Sequence, residues 1–152
     1  MKSLGGLRRA TGADVEAVTA LQRAAYASNR TILGVEPLPL LADYRKIISQ
    51  YEVWLAERAD ALEGVLILQP RIDDVLIWSL ASAPGAQRRG VGRRLLRAAE
   101  ARALELGRRA LRLYTGEKLI GNIAWYGRHG YAVERIEQLA DRRIVHMIKS
   151  IG

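Results

Sequence analysis

Apolar residues recur along this chain with a period that changes from segment to segment, and each change predicts an element. Residues 7–10 read as a short strand. Thr11 and Asp14 offer capping oxygens for a helix over 13–28, whose stripe is Val15, Val18, Leu21 and Ala25. Gly34, Pro37 and Pro39 break regularity over 29–39, and a second helix is expected over 40–49. Three strands follow at 53–58, 64–69 and 75–82. Their short connections, 59–61 and 70–74, make them antiparallel neighbours. The third, from Val75 to Ala81, is apolar on both faces, which predicts a central strand covered on both sides.

A long amphipathic helix is expected over 91–106. Val91, Leu95, Ala99, Ala103 and Leu106 form its buried stripe; Arg93, Arg97, Glu100 and Glu105 form its wet face. Gly107 stops it. The strand at 110–115 follows a strand–helix connection, so it should run parallel to 75–82. A short helix at 122–129 closes at Gly130, and 131–138 with 144–149 form a last hairpin. The sum is an α+β fold: a mixed, mostly antiparallel sheet with helices on both faces.

A length of 152 residues suits one domain, 1–152, able to bury a core unaided. No repeat or low-complexity linker divides it. The absence of cysteine removes thiolate catalysis, disulfides and cysteine metal sites, and no metal is expected. No apolar run approaches the roughly 20 residues of a membrane helix. The start lacks the apolar core of a secretory signal, so a cytoplasmic protein with no membrane partner is expected. The net charge of +8 favours an anionic partner, although scattered arginines also make ordinary solvated helix faces.

Candidate chemistry concentrates in Pro84-Gly85-Ala86-Gln87-Arg88-Arg89-Gly90-Val91-Gly92, between the central strand and the long helix. A helix N-terminus presents free N–H groups and the positive end of a dipole, and glycines let phosphate approach the backbone. Gly85 and Gly90 have P-loop spacing, but Val91-Gly92 stands where Lys-Ser/Thr is needed. Leu95 stands where a dinucleotide fingerprint needs its third glycine. What remains is Gln-x-x-Gly-x-Gly.

In that run, and in Asn122-Ile123-Ala124-Trp125-Tyr126-Gly127-Arg128-His129-Gly130-Tyr131, the sequence resembles the GNAT superfamily of acyl-CoA-dependent N-acetyltransferases. The element order resembles that family over nearly the whole chain. The resemblance implies a GNAT-like fold and acetyl-CoA as co-substrate. Its pyrophosphate would sit on the backbone around Gln87, held by the amides of Arg88, Arg89, Gly90, Val91, Gly92 and Arg93. Backbone groups of Leu80 and Ser82 would pair with the pantetheine arm, and Asn122 would hydrogen-bond the cofactor. Tyr126, four residues on and so on the same helix face, would be the catalytic acid that protonates the leaving thiolate. Ala124 and Tyr131 would be packing positions. Relatives are often dimers, which leaves a homodimer open.

The match thins at the base. Many relatives place a Glu on the central strand, where this chain has Trp78, Ser79 and Ser82; Asp73 and Asp74 stand at its start, the wrong end. Glu36 and Glu117 are weaker candidates, in loops near the acceptor side. The acceptor pocket should come from 28–41, 115–119 and the 138–143 turn. The expected reaction is direct attack of a primary amine of a small molecule or peptide on the thioester, in a ternary complex. Two readings compete: a basic nucleic-acid-binding module, and an acyl-CoA sensor without catalysis. The first lacks aromatics interleaved with its basic residues and any known nucleic-acid motif; Asn122 and Tyr126 argue against the second.

Overall fold

The computed structural model describes residues 3–86 and 89–152. The chain runs through β1 (Ser3–Leu4), β2 (Leu7–Arg9), α1 (Val15–Tyr26), α2 (Asn29–Leu33), α3 (Tyr44–Gln50), β3 (Glu52–Arg58), β4 (Ala61–Pro70) and β5 (Asp74–Ser82). It continues through α4 (Val91–Glu105), β6 (Ala110–Gly116), α5 (Ile120–Arg128), β7 (Ala132–Gln138) and β8 (Arg143–Ser150). Among the described residues eight strands form one sheet, in the order β1-β2-β3-β4-β5-β6-β8-β7. Only β5 and β6 run parallel.

Alternation along the strands divides the core into two layers, because successive side chains point to opposite faces. One face of the sheet, with Trp54, Leu66, Leu68, Val75, Ile77, Leu111 and Leu113, packs against Val91, Leu95, Leu96 and Ala99 of α4. The other, with Val53, Leu55, Val65 and Ile67, packs against Val18 and Leu21 of α1 and Tyr44 of α3. β5 lies between β4 and β6, as its doubly apolar pattern predicts.

Several boundaries differ from the sequence expectation. The first helix opens as a 3-10 turn, Gly12–Asp14, because Thr11 and Asp14 cap each other reciprocally, and α1 starts behind it. Residues 29–33 form a helical turn, ended by Gly34 at φ 72°. α3 starts at Tyr44 instead of residue 40, since Pro37 and Pro39 impose a 3-10 turn over Leu38–Leu41 and Asp43 then caps Arg45. Ala124, expected to pack, is exposed; Ile123, Trp125 and Tyr126 turn to the core instead. The α4 stripe also carries a buried cation, Arg102, which meets Glu52 of β3 through two hydrogen bonds of 2.9 and 2.8 Å.

One irregularity positions the site. The β4–β5 register slips between Ile67, opposite Ser79, and Leu68, opposite Ile77, so Trp78 is the extra residue of a β-bulge. A bulge bends its strand and increases its twist. Pairing of β5 with β6 stops at the same point: it covers Asp74 to Ile77 against Ala110 to Leu113 and goes no further. Beyond it the two parallel strands diverge, and the sheet opens into a V.

Candidate active site

A cleft of about 630 Å³ occupies the V. Leu80 and Ser82 line it from β5; Gly90, Val91, Gly92 and Arg93 line it from the start of α4; Asn122 and Tyr126 line it from α5. These are eight of the eleven residues assigned to the site from the sequence. Arg89 is exposed outside the lining, its guanidinium 3.2 Å from Glu63. Gln87 and Arg88 lie outside the described residues.

The opening turn of α4 has the form an anion site requires. Gly90 is its N-cap at φ 78°, ψ 13°, a left-handed conformation that costs a residue with a Cβ about 1 kcal/mol or more. No side chain caps this turn, so its first N–H groups are not taken by a capping oxygen. A Cβ on Gly90 would meet nothing within 4 Å, so space is open above the backbone for a ligand. Gly64 seats the helix: a Cβ there would stand 2.7 Å from Val91 Cγ1.

The phenol of Tyr126 lies in a tyrosine cluster. Its ring meets Trp125 edge-on at 5.0 Å and Tyr131 at 5.7 Å. Burial pushes its pKa above the ordinary 10.0, and the nearby Tyr26 adds to the shift. The phenol therefore keeps its proton across the physiological range. Asn122 is exposed, 3.5 Å from the Thr115 hydroxyl.

Tyr26 was not singled out in the sequence. It follows Val18 and Gln22 at helical spacing, a signal that marks the buried face of α1. Its hydroxyl is 2.8 Å from Ser79 Oγ. Gln22 Nε2 donates to Ser79 Oγ at 2.9 Å and to Tyr44 Oη at 3.0 Å; Tyr44 donates to the Pro39 carbonyl at 2.6 Å. This polar chain ties α1, β5 and the 38–41 turn together. Trp78 is gripped edge-on by Tyr44 at 6.2 Å and Tyr51 at 6.1 Å, and forms a rigid wall of the cleft.

The far end of the cleft is closed by Ser28, Asn29, Leu33, Pro37, Leu38, Pro39, Thr115, Gly116, Leu119 and Arg142. Arg142 pins the last hairpin turn to this end, donating to Asp141 twice at 2.9 Å and to the Glu36 carbonyl at 2.6 Å. The carboxylates considered as bases face elsewhere. Glu36 pairs with Arg30 at 2.7 Å and Glu117 with Arg143 at 3.1 Å, and neither lines the cleft. Asp74, at the closed end of the V, is held by Arg71 and Arg112.

Residues 49–133 match the family described as acetyltransferase (GNAT) domain. No curated protein matches the chain in sequence. Among solved structures it is similar to the GCN5-related N-acetyltransferase (aminotransferase, class II) from Rhodopseudomonas palustris, with TM-score 0.80 and 18% identity over 99% of this chain and 98% of that one. It is also similar to the ribosomal-protein-S18-alanine N-acetyltransferase from Escherichia coli, with TM-score 0.79 and 18% identity over 96% and 93%. A GNAT family acetyltransferase from Elizabethkingia anophelis with acetyl-CoA bound gives TM-score 0.75 and 17% identity over 95% and 97%. The chain belongs to the GNAT family and is an N-acetyltransferase that uses acetyl-CoA.

Proposed function

We propose that the chain transfers the acetyl group from acetyl-CoA to a primary amine by direct attack, with both substrates bound in the V. The observation that carries this reading is the junction of a free, glycine-opened helix N-terminus with a sheet edge that has lost its partner. Phosphates suit the first, through N–H groups and the helix dipole. An extended pantetheine arm suits the second, because unpaired strand groups accept an added strand. The amides of Arg88 to Arg93 would take the pyrophosphate, and the backbone of Leu80 and Ser82 the arm.

The thioester then lies in the gap between Tyr26 and Tyr126. The amine nitrogen bonds to the carbonyl carbon, the carbon–sulfur bond breaks, and the departing thiolate takes the Tyr126 proton. Solvent restores that proton and receives the one the amine sheds. The carbonyl oxygen, as it gains charge, faces backbone N–H groups of residues 80–82 and the Tyr26 phenol. Asn122 hydrogen-bonds the cofactor from the rim. An amine acceptor agrees with the names of two structural relatives, from Escherichia coli and Brucella melitensis, as ribosomal-protein-alanine N-acetyltransferases.

Calorimetric titration of acetyl-CoA against wild type and Gly90→Glu tests the cradle. Micromolar binding is expected in wild type, with at least a hundredfold loss in the variant, whose carboxylate would repel the pyrophosphate. Equal affinities would exclude the α4 N-terminus as the phosphate site.

A further inference from the structure

The lining of the cleft also constrains the acceptor, on the reading that acetyl-CoA occupies the gap. All sixteen carboxylates of the chain fall among the described residues, and not one of them lines the cleft. Tyrosines aside, the ionisable side chains among the described lining residues are Arg93 and Arg142. The rest of the acceptor end combines Trp78, fixed between Tyr44 and Tyr51, and the apolar Leu33, Leu38, Pro37 and Pro39 with the neutral polar side chains of Ser28, Asn29 and Thr115.

Two physical consequences follow. A polycation would enter with no counter-charge and against a net charge of +8. An amine arriving as ammonium would find no lining carboxylate or imidazole to deprotonate it. The reaction therefore draws on amines that are already neutral in solution. At pH 7.5 the α-amino group of a peptide is roughly a quarter to two-fifths deprotonated, whereas a lysine side chain is only about 0.1% deprotonated, a difference on the order of 200-fold.

We propose that the acceptor is the α-amino group of a peptide N-terminus that bears an apolar or aromatic residue, received against Trp78, in preference to a lysine side chain or a polyamine.

Release of CoA thiol measures the transfer directly, and a chain without cysteine adds no background. The panel is phenylalanine, a Phe-Ala-Ala peptide, Nα-acetyl-lysine and spermidine, at saturating acetyl-CoA with binding checked by calorimetry. At pH 7.5, kcat/KM for the peptide is expected to exceed that for the other three by at least tenfold. From pH 7.5 to 9 the rate with the peptide should rise only about threefold, against about thirtyfold for Nα-acetyl-lysine. Turnover of the peptide in preference to the rest supports the proposal. Preference for phenylalanine, spermidine or Nα-acetyl-lysine, or no transfer to the peptide while acetyl-CoA binds, overturns the acceptor class and leaves the donor reading standing. Loss of acetyl-CoA binding itself would remove the donor reading instead.

Discussion

Tyr126 illustrates how much one side chain's surroundings decide. A phenol beside a leaving thiolate is useful only if it still holds its proton. Burial among Trp125, Tyr131 and the nearby Tyr26 raises its pKa and keeps that proton in place. On the role proposed for it, Tyr126→Phe removes the donor and retains the ring. We expect kcat to fall about a hundredfold, the low end of the range for a positioned acid, with acetyl-CoA affinity unchanged within threefold. Because the phenol stays protonated, wild-type kcat should not decline between pH 7 and 9; an alkaline fall in that window, absent from Tyr126→Phe, would show a less perturbed group. Tyr126 and Asn122 were named because their segment resembles the GNAT signature, and both line the cleft. Tyr26 was not named, and Arg142 only as part of the 138–143 turn. Both reach the cleft through tertiary contacts, Tyr26 across to Ser79 and Arg142 across to Glu36, which no local pattern encodes.

At the scale of elements, α4 bears on both the core and the site. Its first turn is positioned by Gly64 on β4, where a Cβ would lie 2.7 Å from Val91 Cγ1 and 3.1 Å from Leu95 Cδ1. Gly64→Ala must push the helix start outward. We expect a loss of about 1–3 kcal/mol in stability, typical of overpacking, read by urea denaturation, together with weaker acetyl-CoA binding. Unchanged affinity would show that the cradle tolerates displacement. The strands and α4 could be read from the sequence because their periods of 2 and 3.6 run long enough to be distinct. The segment from α2 to α3 could not, since Pro37 and Pro39 favour 3-10 geometry that has little periodicity. Nor could the bulge at Trp78: a residue inserted into a uniformly apolar strand leaves the hydrophobic pattern unbroken.

For the molecule as a whole, stability depends on carboxylates buried beside arginines. Burial tends to raise the pKa of Glu52, but the Arg102 and Trp54 hydrogen bonds outweigh it and hold the group below its ordinary 4.5. Arg71 and then Arg112 hold Asp74 below 3.8, against a burial effect of opposite sign. A depressed folded-state pKa stabilises the protein above the unfolded value and stops doing so as pH falls through the folded one. Tm should therefore be level from about pH 7 to 5 and drop steeply below 4.5. Arg102→Met leaves Glu52 charged and unpaired in the core, at a cost of about 3–5 kcal/mol at pH 7. Adding Glu52→Gln should recover part of that loss, and strict additivity in thermal melts would show the pair to be uncoupled.

The parted sheet also has a mechanical side. β1 to β5 form one leaf and β6 to β8 another, joined by four residue pairs at their base. α4 is laid across β4, β5 and β6, so the core beneath it is shared by both leaves, while α1 packs on the first leaf. The load between the leaves thus passes through a short spine, through that shared core and, toward the acceptor end, through the hydrogen bond from Arg142 to the Glu36 carbonyl. Widening the slot breaks no rung of the ladder beyond the spine; it has to part that tie.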